Sequence, residues 1–192
     1  AMNRAMCILL FCCLMSSIQS YSQDRLSQSG QIPILAWYSI PPEQTSVTRY
    51  LELKESGITH NLSFFNDNET MSGALDTAWR AGIKMIVYCP ELKSATEETV
   101  KRFMDHPAVA GYMLRDEPNR SDFPELAEWA KKIRKTDDNH YCYLNLFPNY
   151  ATEEQLGTKT YQEHVDLFVR EVPVQFISFD HYPVLGDSLR AN

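Results

Sequence analysis

"GYMLRDEPNR", residues 111–120, is the stretch on which the fold turns. Gly111, Tyr112, Met113 and Leu114 suit a strand covered on both faces, yet the run ends in Arg115, Asp116 and Glu117 and is closed by Pro118. Ionised side chains do not lie unpaired in an apolar interior. Such a strand therefore has to cross a core and emerge at an open mouth. Five other runs have the same character: "IPILAWYSI", "ITHNLSFF", "IKMIVYC", "YCYLNLF" and "VQFISFDHY". With Ile34, Ile58, Ile83, Ala110, Tyr141 and Phe176 as markers, the intervals are about 24, 25, 27, 31 and 35 residues. Each interval has room for a helix and two short loops, which is what a parallel crossover connection requires.

The intervening stretches read as amphipathic helices. Val100, Phe103 and Met104 form one stripe, Leu126, Trp129, Ala130 and Ile133 a second, and Tyr161, Val165, Phe168 and Val169 a third. Ser46 is placed to cap a helix through Tyr50 and Leu53 that Gly57 follows, and Ser121 or Asp122 precedes a helix opened by Pro124. Strands apolar on both faces that alternate with helices specify an α/β fold with a covered parallel sheet. A doubly wound nucleotide fold would have a glycine-rich turn after its first strand, whereas "PPEQTS" at residues 41–46 contains no glycine. A (β/α)8 TIM barrel has units of about 30 residues and polar side chains at the C-terminal strand ends. The run ends match that pattern: Trp37 and Tyr38, Asn66 and Asp67, Glu91, Asp116 and Glu117, Asn145, then Asp180, His181 and Tyr182. The reading is a (β/α)8 barrel with about its first six βα units present, truncated before strands 7 and 8.

The first 22 residues differ in kind. Arg4 precedes the apolar run "MCILLFCCLM" at residues 6–15, and small residues follow, with Ser20 and Ser22 at −3 and −1 of a cleavage site before Gln23. This is the pattern of a secretory signal peptide, and the run is well short of the roughly 20 residues that span a bilayer. The expectation is a signal over residues 1–22, an incomplete catalytic barrel over residues 23–192, a secreted or periplasmic location, and no membrane span after cleavage. With 44% hydrophobic residues the chain can fill a core, and its net charge of −7 without a basic cluster argues against nucleic acid as a partner. Cys89 and Cys142 lie in separate strand-like runs and read as free, buried thiols. No metal-ligand spacing is present, and neither a metal nor another cofactor is expected; the oligomeric state is not legible.

A carboxyl group aimed into a barrel mouth can donate a proton. Glycosidic bonds need one because an alkoxide leaves poorly, and a second carboxylate then attacks the anomeric carbon or activates water. Neighbours on a regular strand point to opposite faces, so Asp116 and Glu117 are not expected to form that pair, and Arg115 is placed to be a counter-ion. "GYMLRDEPN" resembles the fourth-strand signature of clan A glycoside hydrolases, and "FISFDHYP" at residues 176–183 resembles their sixth-strand end; the combination is similar to the β-galactosidase-like and cellulase-like branches. The resemblance implies a retaining glycosidase with Glu117 as acid/base and its nucleophile on a seventh strand past Asn192. It implies that Asp116 stands where the clan usually has Asn, and that His181 or Tyr182 takes the sixth-strand role.

Among the remaining candidates, Trp37 offers a stacking platform for a sugar ring. Asn145 is a substrate hydrogen-bonding candidate, and Asp180 binds a sugar hydroxyl or orients His181. The partner expected is therefore an oligo- or polysaccharide. A non-catalytic carbohydrate-binding barrel, with the same mouth but no nucleophile, is the competing reading.

Overall fold

The computed structural model describes residues 32–185 and 188–189, so the expected signal segment lies outside the described residues. From Leu35 onward the chain forms one compact unit. Of the preceding unit, Ala1–Ile34, only residues 32–34 are described, and they are neither helix nor strand. No helix among the described residues is long and apolar enough to cross a membrane.

Five parallel strands form one sheet in sequential order: β1 (Leu35–Trp37), β2 (His60–Leu62), β3 (Lys84–Val87), β4 (Val109–Asp116) and β5 (Tyr141–Asn145). Helices make every crossover. They are α1 (Val47–Glu55), α2 (Asn68–Ala81), the consecutive α3 (Glu91–Ser94) and α4 (Thr96–Phe103), then α5 (Phe123–Thr136). After β5 come α6 (Glu153–Leu156) and α7 (Tyr161–Glu171). This is the sequence of elements of the first part of an α/β barrel, opened as a curled sheet with helices on its outer face.

Local chemistry sets the helix ends. Ser46 accepts a hydrogen bond from the Arg49 amide at 3.3 Å and Asp67 from the Thr70 amide at 2.8 Å, each capping the helix after it. The α2 helix stops at Gly82, whose φ of 75° is a left-handed value that glycine adopts without a Cβ penalty. Before α5, Asn119 and Asp122 cap one another's backbone reciprocally.

Strand alternation divides the core into two layers. Met85, Val87, Tyr112, Leu114, Cys142 and Leu144 point outward to pack with Leu75, Val100, Phe123, Ile133 and Phe168 of the helices. Leu62, Ile86, Met113 and Tyr143 line the concave side with Leu35, Phe64, Tyr88, Tyr141 and Phe176. Gly111 is required at its place on β4 because a Cβ there would run into the carbonyl and ring of Tyr141. Cys89 and Cys142 are free and buried, one at the end of β3 and the other on β5. In α7 the buried stripe is His164 and Phe168, while Val169 lies on the outside.

Residues 174–182, expected as a sixth strand, meet the chain just past β5 through a single parallel bridge, Leu146 to Phe179. The Leu146 amide donates to Ser178 at 2.8 Å and the Asp180 amide to Leu146 at 3.1 Å. The ladder does not extend further in either direction for a local reason. At one end the Cys142 amide is taken by the side chain of Gln175 at 3.2 Å; at the other, Pro148 has no N–H to offer. Beyond this segment, β6 (Val184–Leu185) and β7 (Ser188–Leu189) pair as a short antiparallel hairpin.

Candidate active site

The C-terminal end of β4 is irregular, and that irregularity builds the site. Met113 pairs with Tyr143, but Leu114 and Arg115 together oppose Leu144, so Asp116 pairs with Asn145. This bulge adds one residue to β4 and reverses the facing of the residues beyond it. Asp116 thereby comes to the concave side beside Asn145. Glu117 then takes a left-handed φ of 45°, with its amide donating to the Asn145 carbonyl at 2.7 Å. Only Tyr38 and Glu117 among the described non-glycine residues have positive φ, and both stand at C-terminal strand ends. Strain of this kind persists where the surroundings over-determine it.

Strict alternation would separate Asp116 from Glu117. The bulge and the left-handed turn bring both into one electrostatic neighbourhood with Asp180. Arg115 does not serve as their counter-ion; its ion pair is with Asp122 at 3.5 Å.

Asn145, only 4% exposed, sits at the centre of the group. Its amide nitrogen donates to Asp116 at 3.1 Å and to Asp180 at 2.8 Å. Its carbonyl oxygen accepts from Ser178 Oγ at 3.0 Å, and Ser178 Oγ lies 3.0 Å from the Tyr143 hydroxyl. Burial raises the Glu117 pKa above the usual carboxylate range, and the charges of Asp116 and Asp180 raise it further. Partial desolvation also raises Asp116, with the Asn145 bond opposing and the Asp180 charge adding. A carboxyl group whose protonated form is favoured by its surroundings can act as a general acid.

The candidates of the sixth segment separate by parity. Ser178 and Asp180 face Asn145, and Tyr182 is close enough for its phenol to be pushed up by the charge of Asp180, with burial and Glu117 contributing. His181 faces the other way. With Asn149, Tyr161 and Phe179 it lines a separate hollow of about 420 Å³. Trp37 is half-exposed, with its ring centroid 6.1 Å from Tyr143 and 6.4 Å from Phe64. Tyr38, Phe64 and Tyr88 continue that aromatic surface at centroid separations of 5.3 and 4.6 Å.

Other polar strand ends have local duties: Asp67 caps α2, and Glu91 accepts from the Asn68 amide at 3.3 Å. Asn61, within a glycosylation-type triplet, is fully buried on β2. No cluster of His, Cys, Asp or Glu among the described residues is disposed to hold a metal ion.

Ser178 and Tyr143 are the members that residue type at strand ends does not single out. Their signal was alternation: Ser178, Asp180 and Tyr182 share one face of their run, and Tyr143 and Asn145 share one face of β5.

No family model and no curated protein matches the sequence. Solved structures do resemble the fold. A glycosyl hydrolase family 2 member from Bacteroides cellulosilyticus aligns over 78% of this chain with a TM-score of 0.52 and 11% identity. The endo-1,4-beta-mannanase from Eisenia fetida aligns over 69% with a TM-score of 0.50 and 11% identity. The chain spans 22% of the first protein's length and 59% of the second's. At these identities the likeness is one of architecture: this chain folds as part of those glycoside hydrolases does.

Proposed function

We propose that this chain carries the acid/base half of a retaining glycoside hydrolase acting on an oligo- or polysaccharide. Glu117 is the acid/base, and the nucleophilic carboxylate comes from a seventh barrel strand outside these 192 residues. The observation that carries the reading is the convergence of Glu117, Asp116 and Asp180 at the C-terminal end of β4, where burial and like charge favour the protonated form of Glu117. The glycoside hydrolase neighbours in fold support it.

In the first half-reaction Glu117 gives its proton to the glycosidic oxygen as the carbon–oxygen bond breaks, while the nucleophile bonds to the anomeric carbon. In the second, the Glu117 carboxylate takes a proton from water, whose oxygen displaces the nucleophile and restores the original configuration. Asp116 and Asp180 accept hydrogen bonds from sugar hydroxyls, Tyr182 supports the nucleophile, and Trp37 stacks on a ring. Residues 1–22 direct export of the protein out of the cytoplasm.

The test uses the full-length protein and aryl glycosides of graded leaving-group quality. Glu117→Gln lowers kcat/KM by roughly 10²–10⁴ for poor leaving groups and far less for dinitrophenol. Azide restores turnover to Glu117→Ala and yields a glycosyl azide of retained configuration. Equal losses across the leaving-group series, with no azide product, would remove Glu117 from the acid/base role.

A further inference from the structure

Glu117 sits on a turn that the chain fastens at both ends. Its φ of 45° is left-handed, although a residue before proline favours extended backbone. On the near side the Glu117 amide donates to the Asn145 carbonyl at 2.7 Å. On the far side Pro118 is buried and its ring fixes φ, so few torsions separate Glu117 from Asn119. Whatever holds Asn119 therefore limits where the Glu117 side chain points.

Asn119 is held by every polar group it has. Its amide donates to Asp122 Oδ2 at 2.8 Å, and its carbonyl accepts from the Asp122 amide at 2.9 Å. Its side-chain oxygen accepts from the Ser121 amide at 2.9 Å and from the Ser121 hydroxyl at 3.0 Å. Its side-chain nitrogen donates to the Glu154 carbonyl at 3.0 Å and the Gln155 carbonyl at 2.9 Å, both on α6. The reverse orientation would set the amide oxygen against two carbonyls, which only accept.

The far partner is shaped to receive this side chain. The last four carbonyls of a helix have no donor within it. In α6 the Gly157 amide takes that of Glu153 at 2.8 Å and His164 Nδ1 that of Leu156 at 2.9 Å. Asn119 supplies the donors for the two between them. Gly157 has a φ of 68°, and a Cβ there would stand 2.5 Å from Asn119 Oδ1. Two ion pairs reinforce the tie: Asp122 Oδ2 also faces Arg115 at 3.5 Å, and Arg120 reaches Glu171 of α7 at 2.9 Å.

We infer that Asn119 is a positioning residue: by tying the Glu117 turn to α6 it fixes the aim of the Glu117 carboxyl group. Its catalytic consequence rests on the glycosidase reading; the tie itself does not.

The test uses Asn119→Ser and Asn119→Asp in the full-length protein. Both keep an oxygen for the Ser121 amide, and both lose the donors to α6. Followed by NMR, hydrogen exchange of the Glu117 amide is about ten-fold faster in each, while amides in the middle of β4 keep the wild-type rate. Gly157→Ala displaces the same side chain from the α6 side, gives the same change, and serves if the Asn119 variants do not fold. Ser46→Ala, which removes the cap of α1, leaves the Glu117 amide at the wild-type rate.

With aryl glycosides, Asn119→Asp lowers kcat about ten-fold for poor leaving groups with KM nearly unchanged, and less than about two-fold for dinitrophenol, because only the former need the donated proton in place. A merely structural role would lower both alike. An unchanged Glu117 exchange rate, or equal losses across the leaving-group series, overturns the inference. Faster exchange in a protein that cleaves no glycoside upholds the tie and overturns the glycosidase reading instead.

Discussion

Two carboxylate sites flank the same pair of strands and have opposite electrostatics. Where the chain enters β5, Asp137 is 4% exposed and fully satisfied. It accepts from the Tyr112 hydroxyl at 2.6 Å, His140 Nδ1 at 2.6 Å, the Asn139 amide at 2.9 Å and the His140 amide at 3.3 Å. Burial alone would raise its pKa, but the bonds from Tyr112 and His140 outweigh burial and hold it below the usual range. Where β4 and β5 leave the sheet, Asp116 and Glu117 are both raised, with another carboxylate rather than a cation beside them. One end commits its donors to a single ion; the other tolerates like charges on a strained turn. In α/β barrels the first end is the place of stability and the second the place of chemistry.

The largest effect that would sharpen this contrast is at Asp137. Asp137→Ala leaves the Tyr112 hydroxyl and two amides without their acceptor and costs about 3 kcal/mol, read as a lower urea midpoint at constant m-value. At the mouth, Glu117→Gln combined with Asp116→Asn removes mutual repulsion instead. The double variant gains at most about 1 kcal/mol at pH 7, since Asp116 is open to solvent and screening weakens the effect. A loss of several kcal/mol there would break the comparison by making the mouth a structural site.

The pH dependence separates the ends by sign. Asp137 has a depressed pKa, so its contribution is present above the unfolded value of about 4 and lost as pH falls below it. Asp116 and Glu117 have raised values, so the folded state holds the extra protons and stability falls as pH rises from about 4 through their folded values. Subtracting the double variant's stability–pH curve from wild type isolates that falling limb, because the depressed histidines His60 and His164 contribute alike to both proteins. A flat difference curve would mean that the mouth carboxyls titrate normally. The smallest effect is Tyr38→Gly, which relieves a φ of 49° but loses the ring contact with Phe64; the net change is about 0.5 kcal/mol towards higher stability, measured from the thermal midpoint.

The contrast also shows what was legible beforehand. The run from Gly111 to Leu114 is buried on both faces as its composition demanded, and the polar residues emerge where the apolar run stops. In the stripes on α4 and α5, Val100, Phe103, Leu126, Ala130 and Ile133 are buried and Met104 and Trp129 half-buried, because a 3.6-residue period has to face the sheet. These features arise from nearest-neighbour chemistry along the chain. Asp137 gave no comparable signal, because Tyr112, the donor of one of its two shortest bonds, lies on β4, 25 positions away.

Glu117, Asp116, Asn145, Asp180 and Tyr182 could be picked out as candidates from their residue types at strand ends, yet their grouping could not. Alternation along a regular strand puts Asp116 and Glu117 on opposite faces; one extra residue opposite Leu144 and one left-handed φ undo that. His181 and Tyr182 were interchangeable by residue type until a single bridge at Phe179 set the parity of the segment, sending His181 to the outer hollow. Hydrophobic period and strand-end chemistry are properties of consecutive residues and survive in the bare chain. Register, bulges and which amide meets which carboxylate depend on contacts between residues about 30 positions apart, and those exist only once the strands have paired.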